Sequence, residues 1–325
     1  MAVFRHTSDL PAATQGAVVV IGNFDGVHRG HQLLLADARR LADRLAAPMA
    51  VLTFEPHPRS VFLPDQPPFR LTSLRAKAHA LQEAGVDHLF VLHFDRAFSL
   101  KPAESFVTEI LVRDLAVRHV VVGWDFCFGH KRSGNVALLQ SMGAKQGFGV
   151  TAVDPVMTGD GEIYSSSIIR DHLRAGQPAK AAELLGRPWE IEGRVEQGEQ
   201  RGRTIGFPTA NLDLGDHLCP ALGVYAVLAG SDPGVEHGEE TTWLPAVANL
   251  GRRPTVGGEG VRLEVHFLDF SGDLYGRTLR VRLIDFIRPE KKFDGLDALK
   301  AQIALDCGQA RQILARTSSA RTSGG

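Results

Sequence analysis

Cysteine is scarce in this sequence, and long apolar runs are missing. The 325 residues contain three cysteines, Cys127, Cys219 and Cys307. Their odd number and wide spacing argue against a disulfide framework and against a Cys-x-x-Cys metal site. The longest strongly apolar strand-like run, residues 17–21, is far shorter than the roughly 20 residues that span a bilayer. We therefore expect no disulfide scaffold and no membrane partner.

An excess of charge of one sign is also missing. The formal net charge is -1, which offers no global attraction to nucleic acid, and no recognition-helix or RNA-platform motif is found. Near the N-terminus, Thr7, Ser8, Asp9 and Pro11 stand where a signal peptide needs an apolar core. We expect a cytoplasmic protein whose partners are small molecules. The sequence leaves self-association open.

The first part of the chain has the pattern of an α/β domain. Apolar strands alternate with amphipathic helices up to residue 185, which predicts a parallel sheet covered by helices over residues 1–185. A ligand of such a sheet is expected at the carboxyl ends of the strands. The predicted strands are residues 17–21, 49–54, 88–94, 119–122 and 150–153.

The pattern changes at the Gly-Arg-Pro of residues 186–188. Short strands separated by Gly, Pro and charged turns predict a mainly antiparallel barrel or sandwich over 186–310, ending in a helix near 296–305. The tail, 311–325, has few apolar groups and is predicted to be disordered. The predicted strands are residues 189–195, 224–229, 243–248, 262–267 and 278–287.

The segment GNFDGVHRGH, residues 22–31, directly follows the first predicted strand. Gly22 and Gly26 allow the backbone to turn towards a ligand, and His28 and His31 lie three apart on one face of the following helix. The free amides of a helix N-terminus together with two imidazoles suit a triphosphate. A glycine-rich turn with incidental histidines is the alternative, and the coincidence with a strand disfavours it.

Two further segments of the first half carry candidate ligands. In GWDFCFG, residues 123–129, Asp125 lies among aromatic residues, of which Phe126 and Phe128 either face a planar ring or simply fill the core. The segment SSSIIR, residues 165–170, reads as a serine-capped helix start whose hydroxyls and arginine suit a pyrophosphate. Capping alone explains the serines equally well, but it does not explain the arginine.

The second half has its own candidate site. In GRTIGFPTAN, residues 202–211, Thr209 and Asn211 alternate in extended chain and so face one side, where they could hold a Mg²⁺ ion that carries ATP. A turn leading into a strand is the alternative. Glu264 alternates with Leu263 and Val265, and such a carboxylate can take a proton from a hydroxyl. Without further context, a solvent-facing glutamate is the favoured interpretation.

Several of these segments together resemble a known family. Residues 21–32, 53–58, 123–129 and 165–170 are similar to the adenylyltransferase half of bacterial bifunctional riboflavin kinase/FAD synthetases. The resemblance implies a Rossmann-like nucleotidyltransferase domain of the HxGH type. It implies that both histidines bind ATP phosphates while the FMN phosphate attacks the α-phosphorus. It also assigns residues to the nucleotide, and Asp125, Phe126 and Phe128 to the flavin, with Asp125 also near the metal. The nucleotide set is Gly22, Asn23, Gly26, Ser166, Ser167 and Arg170.

The second half resembles the riboflavin kinase module of the same family. The similarity runs from about residue 189 to 306 and includes 208–211, 249–251, 263–266 and 288–293. It implies a small Greek-key barrel in which Thr209 and Asn211 hold metal and ATP. It further implies that Glu264 is the base for the ribityl 5′-hydroxyl, and that Arg288 contacts the flavin.

The resemblances predict two consecutive reactions. Riboflavin and ATP would give FMN and ADP, and FMN with a second ATP would give FAD and pyrophosphate, both assisted by Mg²⁺. The family commonly has Thr at the position of Ser167 and an aliphatic residue at that of Tyr164, so altered efficiency of the second step is expected. A chain with one working site and a flavin-binding regulator without catalysis are the alternatives.

Overall fold

The computed structural model describes residues 1–8, 10–159, 161–196, 206–232, 241–255, 258–270 and 272–322. Contacts divide the chain into two compact units. The first consists of Met1–Gln66 and Leu74–Ser165, and the second of Pro67–Ser73 and Ser166–Gly325. The chain therefore contributes a short segment to the second unit before it completes the first.

The first unit is built on a six-stranded sheet in which all pairs are parallel. The strand order is β1-β4-β3-β2-β5-β8, which confirms the predicted α/β class. A two-stranded hairpin, β6 with β7, lies outside this sheet. The strands are β1 (Ala2–Phe4), β2 (Val18–Ile21), β3 (Met49–Glu55), β4 (His88–His93), β5 (His119–Gly123), β6 (Cys127–Phe128), β7 (Gly134–Asn135) and β8 (Gly149–Val153).

Helices connect these strands and cover both faces of the sheet. Along β2, Val18 and Val20 pack in one apolar cluster, while Val19 and Ile21 pack in another on the opposite face. A parallel sheet needs such cover because both of its faces are apolar. The helices are α1 (Arg29–Arg44), α2 (Pro58–Phe62), α3 (Leu74–Glu83), α4 (Arg96–Ser99), α5 (Ala103–Ser105, continued in π-helical form by Phe106–Asp114) and α6 (Val136–Gln146).

The second unit contains a closed barrel of six strands. Its order is β10-β13-β12-β11-β14-β9, and the pairing of β9 with β10 closes it; every pair is antiparallel. Its strands are β9 (Trp189–Glu196), β10 (Ala210–Asp213), β11 (Gly223–Ser231), β12 (Leu244–Thr255), β13 (Gly258–Phe267) and β14 (Thr278–Arg288), and its helices are α7 (Ser166–Arg174), α8 (Pro178–Leu185) and α9 (Leu296–Thr322).

Helix α9 packs on the outside of the barrel. Its residues Ala310 and Leu314, with exposed fractions of 0% and 5%, join Val224 and Val247 of the barrel strands in one apolar cluster. Helix α9 thus extends to Thr322, into residues 311–325 for which the sequence predicted disorder. The prediction rested on the Ser, Thr and Gly content of the last residues, whereas Leu314 continues the apolar face of the helix.

The segment Pro67–Ser73, called the inserted segment below, adds to the second unit. The backbone of Arg70 exchanges hydrogen bonds with the residues around His217, and the Trp189 indole Nε1 donates to the carbonyl of Leu71 at 2.8 Å. Helices α7 and α8 also belong to this unit, with α8 against β9 and β14. The units thus divide at residue 165, about one helix pair before the predicted domain limit of 185.

Candidate active sites

The turn after β2 lies where the strand order of the first unit reverses. β2 has β3 on one side and β5 on the other, so the segments that follow β2 and β5 leave neighbouring strands at the same edge. In open α/β sheets, ligands bind in the crevice at such a switch point. The structure therefore places residues 22–31 and 123–129, the two segments singled out in the sequence, side by side at this edge.

The backbone of the turn is held in an unusual conformation. Phe24, Gly26 and Val27 have φ values of 49°, 90° and 42°, in the left-handed region. For a β-branched residue such as Val27 this conformation stores about 1–3 kcal/mol of strain. Both Phe24 and Val27 are buried, and the Gln32 side chain donates to the carbonyl of Val27 at 2.9 Å. The packing of Phe24 and Val27 therefore stabilises a backbone conformation that is otherwise unfavourable.

His28 and His31 form a stacked pair at the start of α1. His28 is the N-cap, and its Nδ1 accepts a hydrogen bond from the amide of His31 at 3.3 Å. The two rings are 3.7 Å apart between centroids and inclined by 20°. Gly30 makes this possible, because a Cβ there would lie 3.0 Å from the Cβ of Tyr164 and 3.1 Å from Nδ1 of His28. The pair shares the helix N-terminus, which attracts anions.

The segment after β5 separates into exposed and buried residues. Asp125 is exposed, and Trp124 is 55% exposed. Phe128 is 8% exposed and packs against Phe106 with ring centroids 5.5 Å apart. Phe126 is partly buried and stacks on Phe128. The structure thus favours the core interpretation for Phe128, while Phe126 and Asp125 stay candidates for contact with the flavin.

An aromatic cluster at the ends of β3 and β4 was not predicted as a site. Phe54 and Phe98 each lie within 6 Å of Phe94, as does Phe62, which is 52% exposed. An open aromatic edge of this kind suits a planar ring. Phe62 ends helix α2, and its proximity to Phe94 depends on tertiary packing that a local sequence pattern does not reveal.

Ser166, Ser167 and Arg170 open helix α7, as the sequence predicted. They belong to the second compact unit, whereas the two histidines belong to the first. Ser167 is exposed, and Arg170 is 7% exposed. Arg170 Nε donates to the carbonyl of Phe69 at 2.8 Å, and its guanidinium lies 5.4 Å from the centre of the Phe69 ring. Part of the guanidinium is therefore used to hold the inserted segment.

In the second unit, Glu264 lies in a row of aligned residues across the barrel. Asn211 of β10 pairs directly with Glu264 of β13, which pairs with Asn249 of β12. The row continues through Val224 of β11 to Arg288 of β14. Directly paired residues point to the same side of a sheet with Cβ atoms about 4.5–5.5 Å apart. Both amides therefore flank the Glu264 carboxylate.

The row lies on the outer face of the barrel. Leu263 and Val265, the neighbours of Glu264 in β13, are completely buried, so the alternate residues Glu264 and His266 face outward. His266 Nδ1 donates to the carbonyl of Pro208 at 2.9 Å. This bond holds the segment that carries Thr209 beside the outer face of β13. Residues 202–205 of the predicted loop lie outside the described residues.

Asn249 is a member of the row to which the sequence gave no role. Two residues further along β12, a Cβ on Gly251 would clash with the Glu290 carboxylate and lie 3.4 Å from Nδ2 of Asn249. The Glu290 carboxylate thus lies directly over Gly251, next to the Asn249 amide. Strand register is the signal that finds Asn249, and it depends on the pairing of β12 with β13.

Arg288, at the other end of the row, is bound by helix α9. Its Nε and a terminal nitrogen donate to the Asp306 carboxylate at 2.9 and 2.7 Å, and Gln302 donates to the same carboxylate at 3.0 Å. Its guanidinium lies 5.6 Å from the ring centre of Phe293. Asp306 is 2% exposed, so this ion pair fixes Arg288 firmly at the edge of the outer face.

Comparison with known proteins identifies the family. The family model for FAD synthetase matches residues 10–167, and the model for riboflavin kinase matches residues 185–314. A bifunctional riboflavin kinase/FMN adenylyltransferase of Escherichia coli K12 is 44% identical over 321 residues, which cover 98% of this chain and all of the relative. The chain belongs to this bifunctional family. The enzyme phosphorylates riboflavin to FMN and adenylylates FMN to FAD, with release of pyrophosphate.

Other relatives agree in extent. The Bacillus subtilis enzyme of the same description is 36% identical and covers 90% of this chain and 91% of its own length. A crystal structure described as a macrolide-efflux protein from Streptococcus pneumoniae superposes with a TM-score of 0.81 at 32% identity, over 95% of this chain and 98% of that one. In the described part of the present enzyme, no helix is long and apolar enough to cross a membrane.

Proposed function

We propose that the two reactions take place in separate units, with phosphorylation on the outer face of the barrel and adenylyl transfer at the turn after β2. The observation that carries the proposal is the row in which Glu264 stands between Asn211 and Asn249. A carboxylate flanked by amide donors and facing outward is oriented for proton transfer. The residues proposed to bind the phosphates in adenylyl transfer lie at the switch point of the sheet, where phosphates commonly bind.

In the kinase unit, Glu264 is the general base. It accepts the proton of the ribityl 5′-hydroxyl as that oxygen attacks the γ-phosphorus of ATP, and ADP leaves. The amides of Asn211 and Asn249 hold the carboxylate in its reactive orientation. Arg288, tied to Asp306, borders the flavin at the end of the same row. General-base catalysis of this kind contributes about 10² to 10⁴ in rate.

The donor set of this site fits Mg²⁺. Within the described residues, no group of three or more His, Cys, Asp or Glu side chains is arranged to hold a metal. Mg²⁺ does not need one, because it keeps several waters and takes few protein oxygens in addition to substrate phosphates. Thr209 and Asn211 would supply a hydroxyl and an amide oxygen. When bound, the ion neutralises charge on the transferring phosphoryl group.

In the adenylyltransferase unit, His28, His31 and the amides of the turn bind the phosphates of the second ATP. The FMN phosphate attacks the α-phosphorus, and the pyrophosphate that leaves carries the charge that the imidazoles and the N-terminus of α1 stabilise. Asn23 and the glycines of the turn contact the nucleotide. Asp125 would supply a carboxylate oxygen to a bound Mg²⁺ ion.

The flavin ring contacts Phe126 and the exposed edge of the Phe62 cluster. Both are aromatic surfaces that follow strands at the carboxyl edge of the sheet, where the substrate of the second reaction must reach the α-phosphorus. The enzyme works in the cytoplasm on small-molecule substrates.

A pair of substitutions tests whether each reaction takes place in its own unit. Glu264→Gln should reduce formation of FMN from riboflavin by about 10² or more, because the base is lost, while formation of FAD from supplied FMN stays normal. His31→Ala should do the reverse, reducing FAD formation by about 10² and allowing FMN to accumulate. Chromatography of flavins from reactions started with riboflavin or with FMN measures both steps.

Matched controls make the result specific. Glu183 and His6 are exposed, so Glu183→Gln and His6→Ala should leave both steps unchanged. Equal loss of both steps in Glu264→Gln would overturn its role as base. Absence of FAD formation in the unsubstituted enzyme supplied with FMN would indicate that the Ser167 and Tyr164 departures have weakened the second step.

A further inference from the structure

Lys77 of helix α3 is a charged residue that the proposed mechanism does not use. It is 3% exposed in the interior of the first unit. Lysine is almost never so deeply buried unless its ammonium has polar partners, because removing the charge from water is costly. The polar groups that surround its ammonium therefore matter for its role.

A chain of hydrogen bonds links Lys77 to the turn after β2. Lys77 Nζ donates to Thr53 Oγ1 at 3.4 Å, and Thr53 Oγ1 donates to the carbonyl of Asn23 at 3.3 Å. Thr53 is completely buried in β3, and the sheet bond from the amide of Gly22 to the carbonyl of Leu52 lies beside it. The chain thus connects the interior of the unit with an exposed residue of the candidate site, Asn23.

The chemistry of the groups fixes the direction of this relay. A protonated lysine donates hydrogen bonds and accepts none, so the threonine oxygen must accept from it. The hydroxyl proton of Thr53 is then available for the carbonyl of Asn23. Hydrogen bonds in such chains strengthen one another in a low-dielectric interior. The relay therefore holds this carbonyl towards β3 more strongly than a threonine alone would.

The orientation of one peptide group follows. The bond between Asn23 and Phe24 is trans, so its N–H points away from its C=O. With the carbonyl directed to β3, the amide of Phe24 is directed to the opposite side of β2, where β5 lies. That is the side on which the strand order reverses. The relay thus aims a backbone donor into the crevice proposed to hold the phosphates.

We propose that Lys77 and Thr53 are positioning residues for adenylyl transfer, which orient the Asn23–Phe24 peptide towards the phosphates of ATP. This inference rests on the proposed use of the turn after β2. Donors that are fixed before the reaction stabilise developing charge without reorganisation, so the loss of the relay should lower kcat for FAD formation more than it raises KM.

The test uses the full-length enzyme and its kinase activity as an internal control. Thr53→Val removes the hydroxyl at nearly constant shape, and Lys77→Met removes the ammonium. Each should lower kcat for FAD formation from FMN by about tenfold or more, as expected when an electrostatic donor is misdirected. Riboflavin phosphorylation should stay within about twofold of normal. Thr53→Ser, which keeps the hydroxyl, and Lys145→Met, at an exposed lysine, should behave as the unsubstituted enzyme.

The double variant decides whether the two residues act as one relay. Because either substitution breaks the same chain, Thr53→Val with Lys77→Met should lose no more than the worse single variant. Multiplied losses, or a Thr53→Val variant with normal kcat, would overturn the proposal. If Lys77→Met lowers the thermal stability of the first unit, its loss of activity is not informative. The comparison of Thr53→Val with Thr53→Ser then tests the proposal by itself. Normal FAD formation by His31→Ala would instead overturn the proposal that the turn after β2 binds the phosphates of ATP.

Discussion

At the scale of single residues, Gly30 shows how a small side chain organises the first site. The side chains of His28, which stacks on His31, and of Tyr164 leave too little room for a Cβ at this position unless one of them shifts. The glycine is therefore required by the close approach of its neighbours, although its own φ is not in the left-handed region. It leaves room for His28, one of the two histidines proposed to bind phosphate.

Gly30→Ala should accordingly impair the second reaction alone. The new Cβ must displace His28 or Tyr164 by a few tenths of an ångström. Because misplacement of reacting groups by about 1 Å can cost about 10² in rate, this smaller displacement should lower the rate by less than about 10². Steady-state formation of FAD from FMN measures the loss, with riboflavin phosphorylation unchanged. Gly159→Ala, where a Cβ meets nothing within 4 Å, is the control. Normal FAD formation by Gly30→Ala would show that the imidazole pair tolerates displacement.

The identities of most candidate residues could be predicted from the sequence, but their arrangement could not. Glu264 was predicted to face outward because strand alternation is a local property. Asn249 could not be placed beside it, since that placement depends on the register between two strands. For Phe128, the sequence pattern did not even predict burial, because Phe126 and Phe128 alternate in the same way whether their rings are buried or exposed.

At the scale of elements, helix α9 connects the barrel surface with the row of residues proposed as the kinase site. Its apolar face covers the outer face around Val224 and Val247, and its Asp306 holds Arg288 of β14. The sequence predicted a helix over residues 296–305 only, whereas α9 has 27 residues. Periodicity located the beginning correctly, whereas the end was lost because the apolar positions of the last turns are sparse among Arg, Thr and Ser.

A pair of leucine substitutions in α9 tests this packing. Leu314 is 5% exposed and lies in the cluster between helix and barrel, whereas Leu305 is 63% exposed on the same helix. Leu314→Ala should destabilise the second unit by about 2–5 kcal/mol, because a buried side chain leaves a cavity. Leu305→Ala should change stability by less than about 0.5 kcal/mol. Thermal and urea unfolding compare the two, and equal stability would argue that the last turns of α9 do not pack on the barrel.

The predicted strands agree with β2, β3, β4, β5, β8, β9, β11, β12, β13 and β14, while the shortest ones were missed. β1, β6, β7 and β10 have four residues or fewer, so their periodicity is too short to detect. β10 contains Asn211, and its place in the barrel is set by tertiary pairing with β9 and β13 rather than by local preference.

At the scale of the whole molecule, the two units are interleaved along the chain. The inserted segment and helices α7 and α8 belong to the second unit, which the predicted limit at residue 185 assigned to the first. The reason lies in the sequence pattern, because α7 and α8 read as further helices of the α/β type. Nothing local distinguishes a helix that covers a parallel sheet from one that packs on a barrel.

Two fragments test this arrangement. A fragment of residues 166–325 should phosphorylate riboflavin, whereas one of residues 186–325 should unfold at a temperature lower by several degrees. The shorter fragment lacks α8, whose Ala181 and Leu185 are 0% and 1% exposed and pack against barrel strands, so apolar surface becomes exposed. Thermal unfolding followed by circular dichroism, with phosphorylation assays at 25 °C, compares them. Equal unfolding temperatures would show that residues 166–185 add nothing to the stability of the barrel.

The inserted segment also has a consequence for the order of events during protein synthesis. Leu71 is synthesised well before Trp189, which lies 118 residues further along the chain and whose indole donates to the carbonyl of Leu71. Domains generally fold as they emerge, beginning with the N-terminal one. The sheet of the adenylyltransferase unit can therefore form before Trp189 and the rest of the barrel, which bind the inserted segment, have been synthesised. Maturation of the nascent enzyme thus follows the reverse of its catalytic sequence: the unit that makes FAD is complete before the unit that makes FMN.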